Sequence, residues 1–334
     1  MAKKKAVAGG NATMNKARNA KADEFYTQLS DIEKETKYYK HHFKGKTVLC
    51  NCDDPYASQF FVHFFRKFSA YGLKKLISVC YKNCQPDLFS ENKDEHSIWL
   101  EYTGGADESR DPTKEEISQW VRPLNGDGDF RKPECIDLLK QADIVCTNPP
   151  FSLLDEFIQL LVKYDKKFLI IGQHNVIHYA KVFKLFKENK VWLGYKYGDM
   201  AFRVPDYYEP RKTRYWVDEQ GQKWRSHGNI CWFTNLDIKK RHEDITLYKN
   251  YDPVLYPKYD NYDAINVTKV AEIPCDYDGL MGVPITFMGK HNPDQFELVG
   301  VFNHGCDSEY DLAKPILNGK ELFTRVAIRR IKKG

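Results

Sequence analysis

Between residues 46 and 172, hydrophobic positions alternate between short unbroken blocks and longer blocks with a helical repeat. The block KTVLCNCDD (46–54) reads as a buried strand that ends in acids. ASQFFVHFFRKFSAYG (57–72) reads as a helix with aromatics on several faces, closed by Gly72 at its carboxyl end. KKLISVCYK (74–82) and SIWLEY (97–102) read as strands, and TKEEISQWV as a short helix with acids in its first turn. ADIVCTNPPF (142–151) is a strand running into two prolines. LLDEFIQLLVKY (153–164) is an amphipathic helix, and KKFLIIG is a fifth strand ending at Gly172. The strands are apolar runs and not alternating ones. That pattern predicts an α/β chain with a doubly wound, mainly parallel sheet covered on both faces. Ligands of such sheets lie at the carboxyl ends of the strands.

After about residue 190 the texture changes. VWLGYKYG, TRYWVDEQGQKWRS and GNICWFTNL read as strands, with Asp218-Glu219-Gln220-Gly221 as a hairpin turn. These suit an antiparallel edge of the same sheet. From about 237 onward helix signals are few, and Pro, Tyr and Asp punctuate the text. The expected organisation is a flexible arm (1–22), a catalytic domain (23–236) and a loop-rich region (237–334). A strand-like LFTRVAIRR near the end carries Arg325, Arg329 and Arg330 and leads into Lys332 and Lys333.

Composition adds limits. The chain has 334 residues, 42% hydrophobic and 29% charged, which is an ordinary globular balance with enough length for a large core. No apolar run reaches the ~18 residues of a membrane span, and the N-terminus has no apolar signal region. Nine Cys, an odd number and mostly in apolar surroundings, predict reduced thiols in a cytoplasmic protein. No Cys or His group has zinc spacing: Cys80 and Cys84 have no second pair, and His41-His42 and His174…His178 stand apart, so no metal is expected. The net charge is +5, yet residues 1–22 alone carry six cations and no acid. The remainder is therefore about one unit negative. The arm is expected to be disordered alone and suits nucleic-acid phosphates, although a solubilising leader has the same composition.

Four segments carry chemistry. The sharpest is Asn148-Pro149-Pro150-Phe151, between a strand and a helix. A Pro-Pro pair cannot continue a sheet and holds the backbone rigid. The Asn148 amide oxygen and the Pro149 carbonyl can then both accept hydrogens from one exocyclic amino group, and Phe151 offers a face for a base. The alternative is a plain turn. This tetrapeptide resembles the Asp/Asn/Ser-Pro-Pro-Tyr/Phe motif of amino methyltransferases. Asp23-Glu24-Phe25-Tyr26-Thr27-Gln28 resembles the Phe-Tyr-Thr-Pro/Gln motif of adenine-N6 methyltransferases. The resemblance places it against the methionine end of S-adenosylmethionine, with Tyr26 facing the sulfonium and Thr27 the carboxylate. Asn51-Cys52-Asp53-Asp54-Pro55 occupies the cofactor turn but lacks the usual glycines. Acids there suit a cation better than a phosphate, which wants glycines and a helix N-terminus. An ordinary polar turn is the alternative. Gly126-Asp127-Gly128-Asp129-Phe130-Arg131 resembles the motif in which an acid and an aromatic hold the cofactor adenine, unless it is only a turn.

Order and spacing of the four resemble the EcoRI-type family of adenine-specific DNA methyltransferases. KADEFYTQ, CNCDDP, LKKLISVCYK, NGDGDFR, NPPF and the terminal GLMGVPITF…NPDQFELVG are its blocks, so the resemblance covers about residues 20 to 331. It implies a Rossmann-like methyltransferase fold with a C-terminal DNA-recognition part. It also implies S-adenosylmethionine as cofactor, double-stranded DNA as partner and a site-specific enzyme, the modification half of a type II restriction-modification system or an orphan. The expected reaction is methyl transfer to N6 of an adenine flipped from the duplex. Asn148, Pro149, Pro150 and Phe151 form the catalytic set. Tyr26, Thr27, Asn51, Asp53, Asp54, Asp129 and Phe130 bind the cofactor. Phe202, in GDMAFRVP, encloses the base from the other side unless it is a core residue. A monomer is expected. Alternatives are an amino methyltransferase for RNA or protein glutamine, and a non-catalytic DNA-binding protein on the same scaffold.

Overall fold

The computed structural model describes residues 25–80, 97–206, 208–305 and 309–332. The basic arm, Asp23 and Glu24, the end of the 74–82 run, and Cys84 lie outside them. One sheet holds ten strands: β1 (Tyr26–Thr27), β2 (Thr47–Asn51), β3 (Lys75–Val79), β4 (Ile98–Tyr102), β5 (Val121–Pro123), β6 (Ile144–Thr147), β7 (Lys167–Gln173), β8 (Trp192–Arg203), β9 (Tyr215–Val217) and β10 (Lys223–Thr234). Their order is β1-β8-β10-β7-β6-β2-β3-β4-β5, with β9 beside β10. β2 is parallel to both β3 and β6. Every residue of β2 and β6 is buried, which is why these strands read as unbroken apolar runs. From β2 the chain crosses first to one side, to β3, and later to the other, to β6. The sheet therefore reverses its winding between β2 and β6, and the crevice outside their carboxyl ends is the expected ligand site.

The antiparallel edge expected after residue 190 is present, at β9–β10 and β1–β8, and a second one that the sequence does not announce lies at β4 and β5. β4 runs antiparallel to β3, β5 antiparallel to β4, and β1 antiparallel to β8. A strand's own apolar content does not specify the direction of its neighbour. The β9–β10 hairpin forms as the sequence predicts: Trp216 faces Trp224 across the ladder, and the Gly221 amide closes the turn on the Asp218 carbonyl.

The aromatic helix is interrupted. It runs Gln59–Arg66, breaks at Lys67 and resumes over Phe68–Tyr71 before Gly72 ends it with a positive φ of 64°. Ser58 caps its start by accepting the Phe60 and Phe61 amides. Phe60, Phe61, Phe64 and Phe65 are all buried, so this helix lies within the core and packs on β3. Lys114–Trp120 opens with a reciprocal capping box between Thr113 and Glu116. Leu154–Lys163 follows β6 directly after a tight 3-10 turn at Phe151–Leu153. No helix among the described residues is long and apolar enough to cross a membrane.

The chain forms two compact units. Among the described residues, the first comprises those within 25–166, 170–172 and 198–230, and the second those within 167–169, 173–197 and 231–332. The second contains a five-stranded sheet within the stretch that reads as loop-rich. β11 (Ala264–Asn266) is parallel to β12 (Leu280–Val283), and β13 (Phe296–Asn303) is parallel to β14 (Asp311–Ala313). A hairpin of β15 (Ile316–Leu317) and β16 (Lys320–Glu321) precedes β17 (Arg325–Arg330), which pairs antiparallel with β12 and β13. One hydrophobic cluster of this sheet joins Tyr259, Ala264, Phe302 and Ala327. Two cations of the terminal strand are paired, Arg329 with Glu297 and Arg330 with Asp278, which Lys332 also meets.

Candidate active site

The carboxyl ends of β2 and β6 are tied together by three side chains. Asp53 is 8% exposed. One of its carboxylate oxygens accepts the Ser58 hydroxyl at 2.7 Å, and the other accepts the Thr147 hydroxyl at 2.6 Å. The Thr147 hydroxyl also lies against the Asn51 carbonyl. The Asp53 backbone reaches the third strand: its amide donates to the Val79 carbonyl, and its carbonyl accepts the Ser78 hydroxyl. Asp53 thus joins the ends of β2, β3 and β6 to a helix start. Burial raises its pKa to about 7, although the Thr147 and Ser58 hydrogen bonds pull the other way.

The same turn bends at Cys52, which has a φ of 65°. Asn51 uses its side-chain oxygen to accept the Cys52 amide, and its Nδ2 is buried without a partner among the described residues. Asp54 accepts the Tyr56 amide at 2.9 Å. The second predicted turn lies nearby. Gly128 has φ 80°, and a Cβ there would collide with the Cys80 carbonyl just past β3. Asp129 is held by Arg131, which donates side-chain N–H groups to both carboxylate oxygens. Burial pushes the Asp129 pKa up, but the Arg131 contacts outweigh it and the net shift is downward. Arg131 also pairs with Glu156 at 3.0 Å. Phe130 is 3% exposed and packs edge-on against Phe157, with ring centroids 4.9 Å apart. Its ring is therefore part of the core.

Past β6, Asn148 is half-buried. Its Nδ2 donates to the Phe25 main-chain carbonyl at 2.5 Å. That bond fixes which way the amide faces, and the Asn148 Oδ1 is left buried with no partner among the described residues. Pro149 is buried, and Pro150 adopts an extended φ/ψ of −54°/124°. The Phe151 ring stacks on Phe25 at 5.1 Å and 24°. Phe202, on β8, is fully buried and meets Phe151 edge-on at 5.9 Å. β1 lies along β8, with Tyr26 opposite Arg203 and Thr27 opposite Phe202. The Thr27 hydroxyl is buried without a partner among the described residues.

The fold therefore gathers Phe25, Thr27, Asn148, Phe151 and Phe202 from three distant stretches. It sets Asn51, Asp53 and Asp54 at the neighbouring strand end. Two residues missed by the sequence reading join the cluster. His227, on β10, meets the Phe25 ring edge-on at 4.8 Å, and Tyr208 tilts against it at 6.1 Å. Neither lies in a motif: the pairing order of the sheet brings His227 here, and the connection between β8 and β9 brings Tyr208. Among the described residues no group of three His, Cys, Asp or Glu is arranged to hold a metal.

This arrangement presents a fixed, unmet acceptor beside an aromatic face, at the switch point of a doubly wound sheet. Comparison with known proteins gives it a context. The family model described as adenine-specific methyltransferase EcoRI matches residues 13–330. The chain belongs to the EcoRI family of adenine-specific DNA methyltransferases. It is 48% identical over 323 residues to the type II methyltransferase M.EcoRI of Escherichia coli, covering 96% of each chain. It is 41% identical over 291 residues to the type II methyltransferase M.MpnI of Mycoplasma pneumoniae, covering 85% of this chain and 84% of the relative. M.MgeORF184P of Mycoplasma genitalium is 41% identical over 295 residues, with the same coverage. No solved structure matches the chain. Membership settles the class of enzyme: a DNA methyltransferase specific for adenine.

Proposed function

We propose that this methyltransferase moves the methyl group of S-adenosylmethionine to N6 of an adenine turned out of duplex DNA. The observation that carries the reading is the Asn148 amide, oriented by the Phe25 carbonyl with its oxygen buried and unmet. A buried acceptor without a donor costs roughly 1–3 kcal/mol. An exocyclic amino group supplies the missing donor. Asn148 accepts one N6 hydrogen and the Pro149 carbonyl accepts the other. Both hydrogens are drawn into the protein, and the nitrogen lone pair points outward. Phe151 stacks on the base and fixes its plane. Catalysis then rests on orientation and preformed dipoles, with no protein nucleophile.

S-adenosylmethionine supplies an electrophilic methyl group and carries a sulfonium, an ammonium and a carboxylate. The residues at the ends of β1 and β2 fit it. Thr27 and Asn51 have unmet polar atoms suited to the carboxylate. Asp53 and Asp54 suit the ammonium, and Tyr26 the sulfonium. Asp129 completes the set on the side of the cofactor adenine, with Arg131 setting its carboxylate, while the Phe130 ring, buried against Phe157, supports that turn from the core.

Residues 23–236 form the catalytic part and 237–334 the recognition region. The arm of residues 1–22, with its six cations, lies on DNA phosphates. The relatives' type II designation supports a role as the modifying half of a restriction-modification system. The enzyme acts as a cytoplasmic monomer without metal. Sequencing DNA from a methylation-free host expressing the chain tests the reading. N6-methyladenine at one fixed motif is expected for wild type, and none for Asn148→Ala with cofactor binding near wild type. Equal methylation by the variant refutes the amino grip.

A further inference from the structure

The ring cluster at Phe151 contains one polar member. His227 meets the Phe25, Phe151 and Phe202 rings edge-on, at centroid distances of 4.8, 6.0 and 6.1 Å. Its Nε2 is buried and has no partner among the described residues. An apolar side chain would avoid the roughly 1–3 kcal/mol that an unmet buried polar atom costs. The imidazole is neutral at physiological pH. Burial, with Arg225 and Arg214 nearby, brings its pKa down to about 4 against a weaker opposing pull from Asp199. A neutral imidazole can present one nitrogen as a donor and the other as an acceptor.

The free chain indicates where a base would lie. A six-membered ring, that of Phe25, is already stacked on Phe151 at 5.1 Å. The Phe25 main chain also holds the Asn148 amide, so the Phe25 side of Phe151 is the side on which the amino grip sits. A base that reaches Asn148 and stacks on Phe151 takes the place of the Phe25 ring. The ring turns aside while its carbonyl stays on Asn148. The edge of that base then faces His227.

We infer that His227 is a further contact to the target base, its Nε2–H donating to a ring nitrogen next to the adenine amino group. The inference rests on the base-flipping reading above and adds a contact that the proline-containing motif does not provide. Adenine has two candidate acceptors, N1 and N7, on either side of the amino group.

The test uses the full-length enzyme and duplexes with adenine, 1-deazaadenine or 7-deazaadenine at the target position. Single-turnover methylation is measured for wild type, His227→Ala and His227→Gln. For wild type, one of the two deaza bases is expected to slow methylation about tenfold, the loss of one hydrogen bond. His227→Ala should be about tenfold slower than wild type on adenine and indifferent to that same deaza base, as coupled partners are. His227→Gln keeps a donor and should regain part of the rate. Cofactor binding should not change in either variant. The inference is overturned if neither deaza base slows wild type, or if His227→Ala loses as much as wild type on the deaza duplex. Should His227→Ala fail to fold, the wild-type deaza result and the Gln variant still decide. Failure of wild type to methylate adenine in any duplex overturns the underlying reading as well, and is distinguished by that control.

Discussion

Asp53→Asn should remove a pH dependence that the wild-type fold carries. In the folded chain the Asp53 carboxyl has its pKa raised by burial from 3.8 to about 7. The folded chain therefore keeps a proton at pH values where the unfolded chain has released it. Stability from this group is greatest below about pH 4 and falls as pH rises toward 7, by one proton's worth per pH unit. At roughly 1.4 kcal/mol per pH unit, the interval amounts to about 4 kcal/mol. Asn keeps the shape and has no charge to bury. Measured by denaturant unfolding at several pH values, the wild-type advantage over Asp53→Asn should shrink by about 4 kcal/mol between pH 4 and 8. Taking the difference between the two proteins cancels the titrating groups that do not interact with Asp53; Asp54, Cys50 and Cys52 are its charged or ionisable neighbours. A cation bound beside Asp53 would favour its ionised form, so added S-adenosylmethionine should flatten the wild-type curve. A stability difference independent of pH would mean that Asp53 is ionised throughout, and would refute the burial argument.

Two further variants probe the neighbouring turn. Gly128→Ala meets the Cys80 carbonyl and requires a positive φ; it should cost roughly 1–3 kcal/mol, read as a lowered melting temperature, and an unchanged temperature would deny the close approach. Arg131→Ala removes a half-exposed ion pair with Asp129 and should change stability by at most about 1 kcal/mol. Cofactor affinity should fall by more, on the order of tenfold, if Arg131 sets the carboxylate, and equal affinity would argue that Asp129 does not touch the cofactor.

The parallel centre of the sheet was legible because burial on both faces leaves an unbroken apolar signature, as in β2 and β6. The direction of β4 and β5 was not, since a strand's composition says nothing about its neighbour's polarity. The C-terminal sheet was hidden for another reason. Its strands are short and one of its hydrophobic clusters is built around Tyr259 and Phe302, with Tyr262 packed against it, in a text that Pro and Asp otherwise mark as loops. At the site, Asn148 and Phe151 could be found because rigid geometry needs Pro-Pro between them. Asp53 was recognisable as an acid at a strand end, but its bonds to Ser58 and Thr147 depend on side chains that only the fold brings near. His227 carries no local signal at all.

Residue 25 contributes to the aromatic cluster at Phe151 in two separable ways. Its carbonyl holds the Asn148 amide, while its ring covers Phe151. The first is a main-chain property and is retained by any amino acid that keeps β1 in register. The second is set by the side chain alone. A library confined to codon 25 would therefore reshape the aromatic cluster without disturbing the orientation of the Asn148 amide, which, on the proposed reading of the site, makes this position a natural starting point for enzymes accepting enlarged or non-natural bases.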